Sequence, residues 1–353
     1  VTLMAQSPLY DQHVRLGARF VDFAGWEMPV QYESVLAEHE AVRTSAGVFD
    51  VSHLGRFRLA GPGSTELLRS LLCNDIAAIE PGRAQYTMAL NESGGVEDDI
   101  IVWRWEADRY WVIPNGANDD RIRDSFLAAA DETVRIEDLR EETVLIAVQG
   151  PDAPAAIEAV LGKRPGRFRL FEAEFAGYPA WVAGTGYTGE RGGEIAAPAG
   201  AAAELLGAFL EAGVVPAGLG SRDTLRLEMG YPLWGQDLDP ETSPLEADLG
   251  WVVDWDHDFV GKTALENQRD RGLDKRLVGF VMEGRQIARH GYPLRAGEST
   301  GFVTSGNFSP TLKRGIGLGY LHPPPTPDLQ VEVEVRGAWL PVERYDPPFL
   351  GRT

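Results

Sequence analysis

Residues 91–105 read NESGGVEDDIIVWRW: a turn-forming cluster, two adjacent aspartates, then an apolar run. Asn, Ser and two glycines are turn chemistry, and the Ile, Val and Trp that follow suit a strand. Successive side chains of a strand point to opposite faces, so Asp98 and Asp99 diverge. Asp99 shares its face with Ile101 and Trp103, and Asp98 shares the other with Ile100 and Val102. If both faces are mostly covered, one carboxylate is sheltered. A sheltered carboxylate must be paired, protonated or in use. The residues alone leave two roles open: an aspartate that satisfies the turn amides from Ser93 to Gly95, or one held for chemistry.

Working outward, AQYTMAL before the turn and RYWVIPN after the strand extend a hairpin by a further strand. NDDRIRDSFLAAA then reads as an amphipathic helix with Ile122, Phe126 and Ala130 on one face. Upstream, GRFRLA alternates like a strand and GPGSTELLRSLLC reads as a turn and helix, with Leu67, Leu68, Leu71 and Leu72 at helical spacing. VLIAVQGPDAPAAIEAVLG repeats the order strand, Gly-Pro, helix. AAAELLGAFLEAG and SRDTLRLEMG carry two more helical patterns, with Gly213 and Gly230 as C-caps. Strands mixed with helices that cover them predict an α+β protein. After about residue 276 the grammar changes to short strands split by Gly and Pro: LVGFVM, GFVTSG, GIGLGYL, LQVEVEVRG and LPVERY. An all-β C-terminal domain is expected there, with HPPPTP as a stiff loop between two strands.

A length of 353 residues predicts two or three domains. Apolar residues make up 44% and charged residues 24%, an ordinary globular composition. No run of eighteen apolar residues occurs, and the first twenty residues have neither an apolar signal core nor transit character. A cytoplasmic location and no membrane attachment are expected. A net charge of -20 opposes nucleic-acid or anionic-membrane binding. A single cysteine, Cys73, excludes an internal disulfide and a cysteine cage.

GTGYTG places glycines at 184, 186 and 189, but no helix pattern follows that could hold a pyrophosphate. The stretch reads as a glycine-rich hairpin whose backbone lies close to a flat ligand, with Glu194 facing it. DWDHDF imitates a calcium loop, yet Phe259 and Leu265 stand where Gly and Glu are needed. The six histidines lack metal-ligand spacing, so no metal is expected. His53, inside FDVSHLG, reads as a hydrogen-bonded core histidine. GLGSRDTLRLE puts Arg222 and Arg226 one turn apart, with Ser221 as N-cap and Arg222 either facing an anion or bridging Asp223 or Glu228.

Taken in order, LYDQHVRLGARFVDFAGWEMPVQY, HEAVRTSAGVFDVSHLG, NESGGVEDDI, AVQGP, GYTGERGGEI, GLGSRDTLRLEMGYPLWGQDLD, SPLEADLGW and TSGNFSPTLKRGIGLGY resemble the aminomethyltransferase family, the T-protein of the glycine cleavage system. The resemblance runs from about Pro8 to the C-terminus. It implies a three-domain cloverleaf with a C-terminal barrel or jelly-roll-like domain and tetrahydrofolate in the central channel. The expected division is 1–50 with 140–250 as an interleaved folate-binding domain, 51–139 as an α+β domain, 251–275 as connector and 276–353 as the all-β domain.

The implied reaction starts from an aminomethyl group carried on sulfur by the lipoyl arm of the H-protein. N5 of tetrahydrofolate attacks the methylene carbon, ammonia leaves, and methylenetetrahydrofolate and the reduced arm remain. By residue-wise match Asp99 is the catalytic acid, which orients the folate amine and stabilises positive charge, while Asp98 serves the turn. Glu194 matches the acceptor for the pterin amino and ring N–H groups. Tyr86, Asn115, Tyr187 and Arg222 match positions around the folate. Leu54 stands where the family often has Met, and Arg352 in the short tail PPFLGRT is the candidate for the folate's glutamate carboxylate.

H-proteins are typically acidic, so docking needs a local basic patch. Lys262, Lys275, Arg276, Arg285, Arg289, His290, Lys313 and Arg314 are the candidates. The same fold also serves folate-dependent demethylases of small methylated amines or sulfonium compounds, which keep the folate site and change the donor pocket. Folate-binding assistants of iron–sulfur assembly carry a K-G-C-Y-x-G-Q segment, whereas GYTGERGGE here has no cysteine.

Overall fold

The computed structural model describes residues 4–351. The chain forms two compact units. One holds the residues up to Ser70 together with Asp75–Thr87 and Asp99–Asp223; the other holds Leu71–Asn74, Met88–Asp98 and the chain from Thr224 onward.

The first unit contains a six-stranded sheet in the order Leu170–Phe175, Tyr178–Ala183, Gly192–Pro198, Thr143–Gln149, Gly47–Asp50, Val215–Pro216. Its neighbours are antiparallel except the last pair, where Val215 lies beside Gly47 in parallel. Thr143–Gln149 is buried along its whole length, which is why TVLIAVQ reads as a continuous apolar run and not as an alternation. The helices Ala153–Leu161 and Ala202–Glu211 bury Ile157, Leu161, Leu205 and Phe209 with Val144, Ile146, Val148, Val182 and Ile195 in one core. Gly213, at φ 84°, ends the second helix, as expected of a C-cap glycine.

A second sheet runs Arg83–Leu90, Val96–Glu106, Arg109–Ile113, Phe57–Ala60, Arg135–Asp138. Trp103 and Trp111 pair across it in register and stack at 5.7 Å. The helix Asp119–Ala129 buries Ile122 and Phe126, and Phe126 meets Phe57 edge-on at 5.3 Å.

In the second unit six antiparallel strands close into a barrel: Arg276–Val281, Arg314–His322, Ser299–Ser309, Pro293–Ala296, Val331–Val335 and Ala338–Tyr345, the last pairing back with the first. The all-β C-terminal region is therefore a closed barrel and not a jelly roll. Phe280, Met282, Val303, Leu321, Val331, Val333 and Val342 fill it. The alternating glycines of GIGLGYL leave room inside: a Cβ at Gly317 would collide with the Phe280 ring. HPPPTP lies between two barrel strands, as expected. Pro293–Ala296 is a strand that the sequence pattern did not disclose. Among the described residues no helix is long and apolar enough to cross a membrane.

Candidate active site

The Val96–Glu106 strand answers the question of the aspartate pair. Its alternation holds over the doublet: Asp98, Ile100 and Val102 are buried, while Glu97, Asp99 and Ile101 are half-exposed. Asp99 is therefore the carboxylate that can meet a ligand. It accepts hydrogen bonds from the Tyr86 hydroxyl at 3.0 Å and from Asn115 Nδ2 at 2.8 Å, and the same amide also reaches the Asp99 carbonyl at 3.1 Å. Tyr86 and Asn115, both assigned to the site from sequence, thus fix the Asp99 rotamer from two sides. The turn ahead of the strand is a correction. Asn91 Oδ1, not an aspartate, accepts from Ser93 N at 2.9 Å and Gly95 N at 3.0 Å. Asn offers the same short side-chain acceptor as Asp, so the turn needs no charge.

Glu194 lies on the Gly192–Pro198 strand, 7% exposed, and accepts from Thr185 Oγ1 at 2.5 Å. The hairpin predicted around it is present, with Ala183 opposite Glu194. Gly186, however, makes room for the protein itself. A Cβ there would collide with the side chain of Gln149, which donates to the Thr185 carbonyl at 3.1 Å and accepts from Thr188 Oγ1 at 3.0 Å. Arg43 ties the same loop down through Thr188 O at 2.8 Å and Glu190 at 2.9 Å.

Arg222 sits on the Leu219–Glu228 helix with its guanidinium 5.0 Å from the Tyr187 ring centroid. The helix starts two residues before Ser221, so Ser221 is not its N-cap. The orphan donors at this terminus meet Glu38, whose carboxylate accepts from Gly218 N at 2.9 Å and Ser221 Oγ at 3.4 Å. Arg222 forms no ion pair with Asp223 or Glu228 among the described residues; Arg226, one turn on, is bound to Asp237 at 2.8 Å. Burial pulls the Arg222 pKa down, and Glu194 and Tyr187 attract its charge. Yet no ion pair joins Arg222 to Glu194 among the described residues, and Arg222 Nη1 is enclosed without an acceptor.

His53 and Leu54 come from the turn that follows the strand Gly47–Asp50. His53 is buried and Leu54 half-buried. Arg56 holds this turn. Its guanidinium is fully buried and donates to Ser52 O at 3.1 Å, Leu54 O at 2.7 Å, Arg140 O at 2.9 Å, Thr143 O at 3.1 Å and Thr143 Oγ1 at 2.9 Å. Burial lowers its pKa to about 10, still charged at neutral pH. Asp50 holds the start of the turn through Ser52 N at 2.9 Å, and contacts Ser7 and His13 in turn, the latter at 2.8 Å. Burial pushes the Asp50 carboxyl up, but bonds from His13, Ser52 and Ser7 and attraction to His13 outweigh it, so the group stays below its usual range. On the far side Gly116, next to Asn115, approaches so closely that a Cβ would collide with the His53 carbonyl.

Leu54, Tyr86, Asp99, Asn115, Tyr187, Glu194 and Arg222 therefore all lie in the first unit, in two clusters. Tyr86, Asp99 and Asn115 form one, and Tyr187, Glu194 and Arg222 the other. His53 touches Gly116 beside the first and is electrostatically linked to Arg222 in the second. Arg352 lies outside the described residues. Sequence reasoning passed over Arg56, Glu38 and Arg43, because buried charges look like surface charges until their partners are known. Of the basic candidates, Lys262, Arg276 and Arg314 are paired with Asp258, Asp248 and Glu343, and Lys275 donates to Thr242 Oγ1 at 2.8 Å. Arg285, Arg289, His290 and Lys313 form no ion pair among the described residues and are exposed.

The scaffold is a multidomain α+β one with a C-terminal barrel, and the comparisons assign it to a class of group-transfer enzyme. The GCVT N-terminal domain matches residues 9–257, and the glycine cleavage T-protein C-terminal barrel domain matches residues 275–350. The aminomethyltransferase of Rubrobacter xylanophilus is 47% identical, with 99% of this chain and 95% of that one aligned. That of Synechococcus elongatus is 44% identical, over 98% and 96%. The crystal structure of glycine cleavage system aminomethyltransferase T from Bartonella henselae superposes with a TM-score of 0.91 at 33% identity, covering 99% of both chains. The chain belongs to the glycine cleavage T-protein family. Its activity is aminomethyl transfer.

Proposed function

We propose that the chain transfers an aminomethyl group from the lipoyl arm of the glycine cleavage H-protein to tetrahydrofolate. The observation that carries this reading is the relation of Glu194 to Arg222: a buried carboxylate, and an enclosed guanidinium nitrogen with no acceptor, close enough to interact but not paired. A buried polar group left unsatisfied costs about 1–3 kcal/mol, so such a nitrogen awaits a partner. A reduced pterin fits both groups. Its amino and ring N–H groups complement Glu194, and its ring carbonyl complements Arg222. Tyr187 and Leu54 offer flat and apolar surface to the ring.

When bound, the folate supplies the nucleophilic amine; the protein's part is placement and charge. Asp99, fixed by Tyr86 and Asn115, orients that amine and stabilises positive charge that develops on the donor carbon. It is also the group within the cluster that can take up a proton.

The acidic carrier docks on the barrel through Arg285, Arg289, His290 and Lys313, the basic residues left without carboxylate partners. Arg285 lies over Phe308 at 5.5 Å, and His290 meets the half-exposed ring of Phe302 at 6.3 Å and bonds Thr304 O at 2.8 Å. Such a patch steers an acidic partner locally against the net charge of -20, and its effect fades with salt. The test is turnover with tetrahydrofolate and two kinds of donor in parallel: aminomethylated H-protein, and free methylated amines and sulfonium compounds. Methylenetetrahydrofolate and ammonia from H-protein alone is the expected result. Turnover only with a free donor overturns the carrier assignment and leaves a demethylase.

A further inference from the structure

His53 is 4% exposed, and neither ring nitrogen has a hydrogen-bond partner among the described residues. This is unusual, because buried polar side chains are nearly always satisfied. Nδ1 is fully enclosed. The ring is held in place by packing alone, edge-on to Phe23 at 5.1 Å. Its surroundings are those of the transfer site. Arg222, with its own unsatisfied Nη1, acts on it electrostatically, and Gly116 next to Asn115 lies against its carbonyl and its Cδ2 edge. Arg56 and Asp50 fix the turn that carries it.

We propose that His53 is a folate-contacting residue, whose Nε2–H donates a hydrogen bond to the pterin carbonyl beside the one from Arg222. The assignment rests on the folate reading of the site. Nε2 is the nitrogen left to meet a ligand, because Nδ1 is enclosed. In the neutral ring one nitrogen carries the proton, and placing it on Nε2 spares the enclosed Nδ1 an N–H with no acceptor. The ring is also kept neutral: burial and the nearby arginine hold its pKa down to about 3. A neutral donor suits this position. It polarises the carbonyl end of the pterin without adding a second cation near a centre where positive charge develops.

Three substitutions separate the atoms. His53→Phe keeps the ring and its packing on Phe23 but removes both nitrogens. His53→Gln places an amide near Nε2, and His53→Asn places one near Nδ1. Tetrahydrofolate affinity, kcat with the aminomethylated carrier and melting temperature are measured for each. The expected result is about tenfold weaker folate binding in the Phe and Asn variants, near-native binding in the Gln variant, kcat within a few-fold of native, and a melting temperature that does not fall for Phe. Native affinity in the Phe variant overturns the proposal. So does recovery in Asn but not Gln, or an equal loss of affinity in all three that tracks a falling melting temperature, which marks a packing residue. Absence of folate binding by the unaltered protein would instead remove the folate reading itself, so the two failures are distinct.

Discussion

His53 gives the protein an acid sensitivity whose size follows from its burial. In the folded chain desolvation, with repulsion from Arg222 and Arg56, lowers its pKa from the ordinary 6.5 to about 3, against a partial counter-pull from Asp50. The unfolded chain returns to 6.5, so between these values it binds a proton that the fold refuses. Stability therefore rises with pH through this window, is complete above 6.5, and is lost as pH falls below it. At about pH 5 this one group costs the fold roughly 2 kcal/mol relative to neutral pH, and near the folded pKa roughly 5 kcal/mol. Other groups titrate nearby. Burial raises the Glu38 and Asp119 carboxyls, so each binds a proton more readily in the fold and partly offsets the loss on acidification. Asp50 is held below its usual range and contributes only at still lower pH. The comparison that isolates His53 is thus the unaltered protein against His53→Phe, each unfolded in urea at about pH 5 and about pH 8. The stability difference between the two proteins should move by ~2 kcal/mol in favour of the variant on going to the lower pH. Parallel stability–pH curves would refute the reasoning, since they would mean that the imidazole is as easily protonated in the fold as out of it.

Three further outcomes are expected. Arg56→Met leaves four backbone carbonyls without their guanidinium donors and should cost about 3–5 kcal/mol in thermal or urea unfolding, with tetrahydrofolate affinity falling as the turn through Ser52 and Leu54 loosens. Asp237→Asn removes the carboxylate bound to the fully buried Arg226, which also donates to Ser305 Oγ at 2.9 Å, and should cost about 3–5 kcal/mol. Replacing both Arg226 and Asp237 with apolar residues should cost less than the sum of the single changes, as a double-mutant cycle would read. Asp99→Asn should lower kcat by roughly 10²–10⁴ with little change in melting temperature, whereas Asp98→Asn, at a fully buried position, should lower the melting temperature first; the opposite pattern in paired assays would exchange their roles.

How much of this was legible in the chain depends on how far each signal reaches along it. Period-two alternation is local, so the divergence of Asp98 and Asp99 followed from five residues, while which of the two is exposed depends on what covers each face. The helices at 119–129, 153–161 and 202–211 were legible for the same reason, and so were most barrel strands. Pro293–Ala296 was not, because PLRA is too short to show a period and exists as a strand through its neighbours on either side. The start of the arginine-bearing helix was misread at Ser221. A serine before a helical pattern is a sound cap signal, but Glu38, 180 residues from Gly218, supplies the acceptor instead.

The same asymmetry divides the site itself. Residues assigned to ligand contact, such as Asp99, Glu194 and Arg222, came from the family resemblance. Residues that aim them did not: Arg56 binds Thr143, 87 positions away, and Arg43 binds Thr188, 145 positions away. The partners of Arg56 are mostly backbone carbonyls, which every residue supplies, so no pairing of residue types betrays it. A carboxylate partner would at least leave a complementary charge to look for. A guanidinium satisfied by main chain leaves none, and in one dimension it is indistinguishable from an arginine in water. Only when the strands that carry those carbonyls are paired does Arg56 become the group that sets where His53 and Leu54 stand.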